Sequence, residues 1–146
     1  MDRVVELEIP ARPEFVGIAR MAVGALAGIR PGLAYERIDD LRIVVSEACT
    51  SAIEGLEETS ILKLRCVDGP KALEVRIEAP GSVFESAFPL SEPEPEADNA
   101  DNFRISLIRA LVDDADLKSS PEGTELCLIM HRDAASGDGL EGDLPA

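Results

Sequence analysis

The chain opens on an alternation in which Val5, Leu7 and Ile9 are apolar while Glu6 and Glu8 between them are charged, up to Pro10. Period two marks a strand with one buried face, so the first element is predicted to be a strand. The period then changes. Pro13 suits the first turn of a helix, and Phe15, Ile18, Ala19, Ala22 and Leu26 recur at helical spacing until Gly28 and Pro31 end it. A longer helical pattern runs from about Glu36 to Glu54, with Ile38, Leu41, Val45, Ala48 and Ala52 on one side and Gly55 just past its end.

Two alternating runs follow, Leu62, Leu64 and Cys66, then Leu73, Val75 and Ile77, separated by the turn sequence Asp68-Gly69-Pro70. They should pair as a hairpin. From Ser86 to Asp101 the chain carries three prolines, five acidic residues and no basic one, a composition that cannot bury a core. A flexible lid or loop is predicted over 86–101. Helical spacing returns at Ile105, Ile108, Leu111 and Val112, and after Pro121-Glu122-Gly123 a last strand turns Leu126, Leu128 and Met130 inward. The acidic stretch 133–146 reads as a disordered tail. Together these elements predict one domain over 1–132 of the α/β (α+β) class: a two-layer sandwich in which about three helices cover one face of a mixed, mostly antiparallel sheet.

Composition narrows the function. At 146 residues and 45% hydrophobic, the chain can close a single core. With four Phe, one Tyr and no Trp it offers no platform for stacking bases, and a formal charge of -15 repels a phosphate backbone. Direct nucleic-acid binding is therefore excluded from the expectations, and a basic protein surface is favoured, although the same charge serves solubility. Cys49, Cys66 and Cys127 are odd in number, far apart and without a CxxC pair, so they read as reduced core thiols. The first residues lack the regions of a signal peptide and no run approaches the roughly 18 apolar residues that cross a membrane, which predicts a cytoplasmic protein without a membrane partner. His131, the single histidine, has no nucleophile beside it in the pattern and takes no role.

The stretch VSEACTSA, from Val45 to Ala52, resembles the N box of the anti-sigma regulatory serine kinases, usually SEACTNA. That family is a branch of the superfamily that also holds histidine kinases, gyrase and the Hsp90 chaperones. ELEIPARPEFVGIAR, SLIRALVDD and SSPEGTEL are similar to further family segments, in the expected order across residues 3–131. The resemblance implies a Bergerat-type ATPase fold, with Glu47 as the general base of phosphoryl transfer and Ser51 where the family carries a magnesium-binding Asn. It also places Gly81 and Thr124 at nucleotide-binding positions. On a helix, Asp40, Glu47, Ser51 and Glu54 share a face, so the geometry for a site is retained.

The sequence departs from the family at the other boxes. Ala79-Pro80-Gly81-Ser82-Val83-Phe84 stands where the family has Asp-x-Gly-x-Gly-Phe, so the position that reads the adenine amino group is an alanine. Glu78 is one place out of phase and strand alternation aims it away. Asn102-Phe103-Arg104-Ile105 replaces a Gly-x-Gly-Leu that binds phosphate at a helix start; Arg104 offers a compensating charge. The resemblance thus implies a pseudokinase that needs neither ATP nor magnesium, unless Glu47, Ser51, Gly81, Arg104 and Thr124 rebuild the pocket.

Binding can outlive catalysis in such a family. Arg20 falls where its members carry an arginine that contacts the sigma factor and the competing antagonist, and Val16 and Val23 are expected beside it on the outer face of the first helix. The resemblance therefore implies a regulator of transcription whose partners are a sigma factor, a STAS-type anti-anti-sigma protein, or both, and which forms a homodimer. The alternatives are an active ATP-dependent serine-protein kinase acting on an anti-anti-sigma protein, and a regulatory subunit that pairs with another copy of the fold.

Overall fold

The computed structural model describes residues 2–81 and 106–133. The acidic stretch 86–101, Arg104 and the tail beyond Asp133 lie outside the described residues. Strand β1 spans Arg3–Pro10. A short 3-10 turn, Pro13–Phe15, leads into α1 at Val16–Ala27, and α2 covers Tyr35–Glu54. Strands β2 (Ile61–Asp68) and β3 (Ala72–Ala79) follow. A short helix α3 at 106–111 precedes β4 (Asp114–Ser120) and β5 (Gly123–His131).

The strand order is β1-β2-β3-β5-β4, and each described pairing is antiparallel. The expected mixed, mostly antiparallel sheet is therefore antiparallel throughout the described residues. The hairpin read from Asp68-Gly69-Pro70 is present, with Leu64 opposite Ile77 and Cys66 opposite Val75. Because alternate residues share a face, this register puts Leu62, Leu64, Leu73, Val75, Ile77, Leu126, Leu128 and Met130 on one side, where each is essentially inaccessible to solvent. Leu41, Val44, Val45, Ala48, Cys49 and Ala52 of α2 join the same core. Gly55 caps α2, its N–H donating to the Ala52 carbonyl at 3.1 Å while Leu56 N–H donates to the Ile53 carbonyl. The opposite sheet face is charged, carrying Lys63, Arg65, Glu74, Arg76, Glu78 and Glu125.

The face of α1 is turned from the expectation: Ala19 and Leu26 are buried and Phe15 packs against the core as expected, but Ile18 and Ala22 are exposed and Val16 and Val23 are buried. Val16, Ala19, Val23, Gly24, Leu26 and Ala27 are buried, whereas Ile18 is 49% and Met21 71% exposed, with Ala22 and Ala25 also in solvent. The physical reason is close packing against α2. Gly24 lies directly beneath the Arg42 guanidinium, where a Cβ would collide with it. Small residues on that side let the helices approach, so the bulkier Ile18 is left outside. Val16, 8% exposed, and Val23, 1% exposed, are core residues and cannot meet a partner.

A buried ionic cluster fastens the end of the sandwich away from the β4–β5 turn. Asp68, closing β2, is fully buried and its Oδ2 accepts from Arg3 at 2.7 Å and Arg30 at 3.0 Å, while Oδ1 accepts from Arg132 Nη2 at 2.7 Å. Arg132 donates further to the carbonyls of Gly69, Ala27 and Arg30. One side chain thereby ties the residue just past β5 to the β2–β3 turn and to the end of α1. Desolvation pushes the Asp68 carboxyl up, but hydrogen bonds from Arg3, Arg30 and Arg132 and the charge of Arg132 outweigh it and hold the group below its ordinary value.

Candidate functional site

Two pieces of the fold gather the sequence-predicted site residues. The first is α2, which packs against β3. Glu47 is half-buried and Ser51, one turn later, is 9% exposed, so both sit where the helix meets the core margin. Asp40, a further stretch towards the N-terminus, is partly buried and lies 3.5 Å from Arg37. Arg37 also donates to the Leu111 carbonyl at 3.1 Å and to Asp113 at 3.0 Å, and the second Asp113 oxygen accepts from the His131 backbone N–H at 2.7 Å. This Arg37–Asp113 clamp holds the end of α3 and β5 to α2. It was not foreseen; the only sequence signal was an acid at the close of SLIRALVDD.

The second piece is the junction of β3 and β5. Ala79 pairs with Thr124, and both face the core, at 5% and 3% exposure. The Thr124 hydroxyl donates to the Gly81 carbonyl at 2.5 Å. Gly81 has φ +82, a conformation that favours glycine, and open space where a side chain would be. Gly123, at φ +152, lies against the Ala79 carbonyl, leaving no room for a Cβ. Glu78 pairs with Lys63 and Glu125 on the opposite face, away from this junction as strand alternation predicted.

Ala79, which the family resemblance sets at the adenine-reading position, offers only a methyl group there. The neighbouring hydroxyl is already engaged to a main-chain carbonyl. Among the described residues this end of β3 supplies no side chain able to read the adenine amino group, so it does not fit an adenine nucleotide in the usual manner. No group of three or more His, Cys, Asp or Glu placed to hold a metal ion is found among the described residues.

Of the proposed partner contacts, Arg20 alone is exposed; Val16 and Val23 are not. The three cysteines are free. Cys49 and Cys66 are core thiols, pushed up to about 12 and about 11 by desolvation. Cys127 differs from the expectation: it lies half-buried on the charged sheet face, because β5 alternation turns Leu126 and Leu128 inward, and its thiol donates to Glu74 at 2.9 Å. Desolvation and the Glu74 contact push it up to about 12.

A sequence model for the histidine kinase-like ATPase domain matches residues 9–130. The chain belongs to that family. Within it, the chain is 32% identical over 123 residues to the serine-protein kinase RsbW of Listeria monocytogenes, covering 77% of this chain and 78% of that protein. RsbW of Oceanobacillus iheyensis is 31% identical over 125 residues, covering 79% and 78%. These matches place the chain in the RsbW, anti-sigma branch of the ATPase family. A match to RsbW of Bacillus pumilus reaches 51% identity but spans 51 residues, 35% of this chain and 31% of the kinase. In structure, the chain is similar to the RsbU and RsbW domains of a Mycobacterium tuberculosis protein, with a TM-score of 0.61 at 16% identity, covering 90% of this chain and 33% of that one. At that identity the likeness is one of fold. A blue-light activated histidine kinase of Erythrobacter litoralis shares it at a TM-score of 0.53 and 17% identity, covering 89% of this chain and 44% of that one. No helix among the described residues is long and apolar enough to cross a membrane.

Proposed function

We propose that this histidine kinase-like ATPase domain works as an anti-sigma-type regulator, binding a sigma factor or a STAS-type antagonist through its surface, with ATP binding and phosphoryl transfer weak or lost. The observation that carries this reading is Ala79. It faces inward at the end of β3, where the family's adenine-reading carboxylate is expected, and its neighbour Thr124 is bonded to Gly81. Phosphoryl transfer depends on positioning and charge neutralisation more than on a base, so Glu47 alone does not sustain it. Surface binding asks less of the pocket. Arg20 stands exposed on α1, and an arginine with its planar fork of donors is a frequent interface anchor.

The active-kinase reading draws on the survival of Glu47 and Ser51 one turn apart on α2 and on its RsbW relatives being serine-protein kinases. Calorimetry separates the two. Purified protein stripped of nucleotide is titrated with ATP and magnesium at near-physiological salt, and each sigma factor and STAS-type protein of the same cell is tested for binding to it. The regulator reading expects a stable complex with at least one of those proteins and no detectable ATP binding up to millimolar nucleotide. Micromolar ATP affinity together with phosphate incorporation into a STAS-type protein overturns it.

A further inference from the structure

The sheet face turned away from α1 and α2 carries a cavity of about 680 Å³ at the end nearest the β4–β5 turn, a volume in the range of small-molecule sites. Its apolar floor includes Ile61 and Pro80, and neither Arg20 nor Glu47 nor Ser51 lines it. A row of charges crosses it. Lys63 on β2 is opposite Glu78 on β3, Glu78 is opposite Glu125 on β5, and Glu125 is opposite Lys118 on β4. All of them line the cavity, and the two glutamates are half-buried. Among the described residues, none of these side chains comes within ion-pairing distance of an opposite charge.

We propose that this cavity binds free arginine, with the guanidinium over the Glu78–Glu125 pair, the α-carboxylate at Lys118 and the α-ammonium group at Glu122. Like charges directly opposite each other on a sheet, with Cβ atoms about 5 Å apart, are destabilising, and a single cation between them removes the repulsion. A guanidinium suits two carboxylates better than an ammonium does, because its planar fork presents several donors in fixed directions. A divalent metal suits them less. No group of three or more His, Cys, Asp or Glu placed to hold one is found among the described residues, and calcium asks for about six oxygens or more.

The lysines decide what else the ligand carries. Lys63 lies between Glu8 and Glu78, so acids on both sides already balance it. Lys118 stands on the edge strand and faces Glu125 alone. Once a guanidinium draws on Glu125, Lys118 is left for an anionic group of the same ligand. From the midpoint of the glutamate pair to Lys118 is one and a half strand spacings, about 7 Å, which an extended arginine spans between its guanidinium and its own carboxylate. Glu122, exposed at the turn and lining the same cavity, is then free for the α-ammonium group. Free arginine has both groups, whereas an arginine that ends a peptide keeps the carboxylate but has its nitrogen acylated. The chain's charge of -15 draws in a ligand of net positive charge.

Calorimetric titration of the whole chain with arginine and its analogues tests this. Arginine should bind at a single site with submillimolar affinity. Citrulline, neutral at the guanidinium position, agmatine, which lacks the carboxylate, and the peptide Gly-Gly-Arg, which lacks the free α-amine, should each bind about tenfold more weakly or worse, roughly the loss of one charged contact. Glu125→Gln should weaken arginine at least tenfold while melting no lower than the wild type, because it lifts a like-charge pair. Lys118→Met should bind arginine and agmatine alike. No arginine binding up to about 10 mM, a level weaker than any useful site, overturns the proposal, and so does a Glu125→Gln variant that binds as the wild type does. Tighter binding of Gly-Gly-Arg than of arginine overturns the assignment to the free amino acid and points to a peptide end. None of these results bears on whether a sigma factor or antagonist binds, which is read separately with Arg20→Glu.

Discussion

Arg132 Nη2 lies 2.7 Å from Asp68 Oδ1, and the carboxylate at the centre of this contact is fully buried among three arginines. The pair joins the strand end after β5 to the β2–β3 turn, and Arg132 adds hydrogen bonds to the carbonyls that finish α1. Arg132→Ala leaves Asp68 Oδ1 and three carbonyls without their donor while Arg3 and Arg30 still pair Oδ2, so it is expected to cost about 1–3 kcal/mol for the buried acceptor left unsatisfied. Asp68 has a lowered carboxyl pKa, so the stability it contributes is present above the unfolded value, about 3.9, and is lost as pH falls through the folded one. Thermal melts from pH 7 to pH 2 should show a steep loss below about pH 4 in the wild type. In Asp68→Asn the starting stability is lower and that part of the loss is missing. An unchanged acid limb would remove Asp68 from the account.

Gly123 opens β5 at φ +152 with the Ala79 carbonyl in the space where a Cβ would stand. That oxygen is main chain and cannot swing aside, so Gly123→Ala must move one strand against the other as well as hold a strained φ. A cost of roughly 1–3 kcal/mol for the backbone strain is expected, with more from the shifted pairing. Gly81→Ala has the same kind of φ but open space around it and should cost only the strain. Denaturant unfolding of the two variants measures the difference, and equal losses would show that the Ala79 contact is unimportant.

Much of the fold was legible because period and turn chemistry agreed. Leu62 to Cys66 and Leu73 to Ile77 alternate cleanly around a Gly-Pro turn, and Gly55 stops α2 where it was placed. β4 was not legible: of the positions in Asp114–Ser120 on the core side, only Ala115 and Leu117 are apolar, too few for an alternation to stand out at a sheet edge. The face of α1 was misread for a different reason. That helix is apolar nearly all round, so its pattern cannot select a side, and the choice is made by the fit of Gly24 under Arg42. Asp68 was read as a turn residue because nothing local announces three arginines, one of them 64 positions away. The pocket departures at Ala79 were visible in the sequence because they are single-residue differences at fixed points of a motif.

Ala79→Asp restores the carboxylate that the family uses to read adenine. At a position 5% exposed the new group meets the desolvation penalty, so its pKa should be raised. A raised folded pKa means the destabilisation is small at pH 4 and grows as pH rises, reaching about 3 kcal/mol near neutrality. Adenosine, which has no phosphate to be repelled by the acidic chain, should bind this variant measurably and stabilise it at pH 7. The wild type should show no such shift in melting temperature. Equal adenosine binding by both proteins would mean that some other group already reads the base.

Under the proposed function, Arg20 belongs to the surface that binds a partner and Glu47 to a catalytic site that has lapsed. Arg20 is exposed on α1, so Arg20→Glu should leave the melting temperature nearly unchanged while reversing the charge offered to a partner. Interface anchors of this type typically account for about 2 kcal/mol or more, so complex formation with the sigma factor or antagonist should weaken at least tenfold. Glu47 is half-buried on α2, a different helix from the one that carries Arg20, and Glu47→Ala should leave that affinity within a factor of about two. Calorimetric titration of both variants against the same partner gives the comparison. A large loss with Glu47→Ala and none with Arg20→Glu would move the function back to the pocket and away from the helix surface.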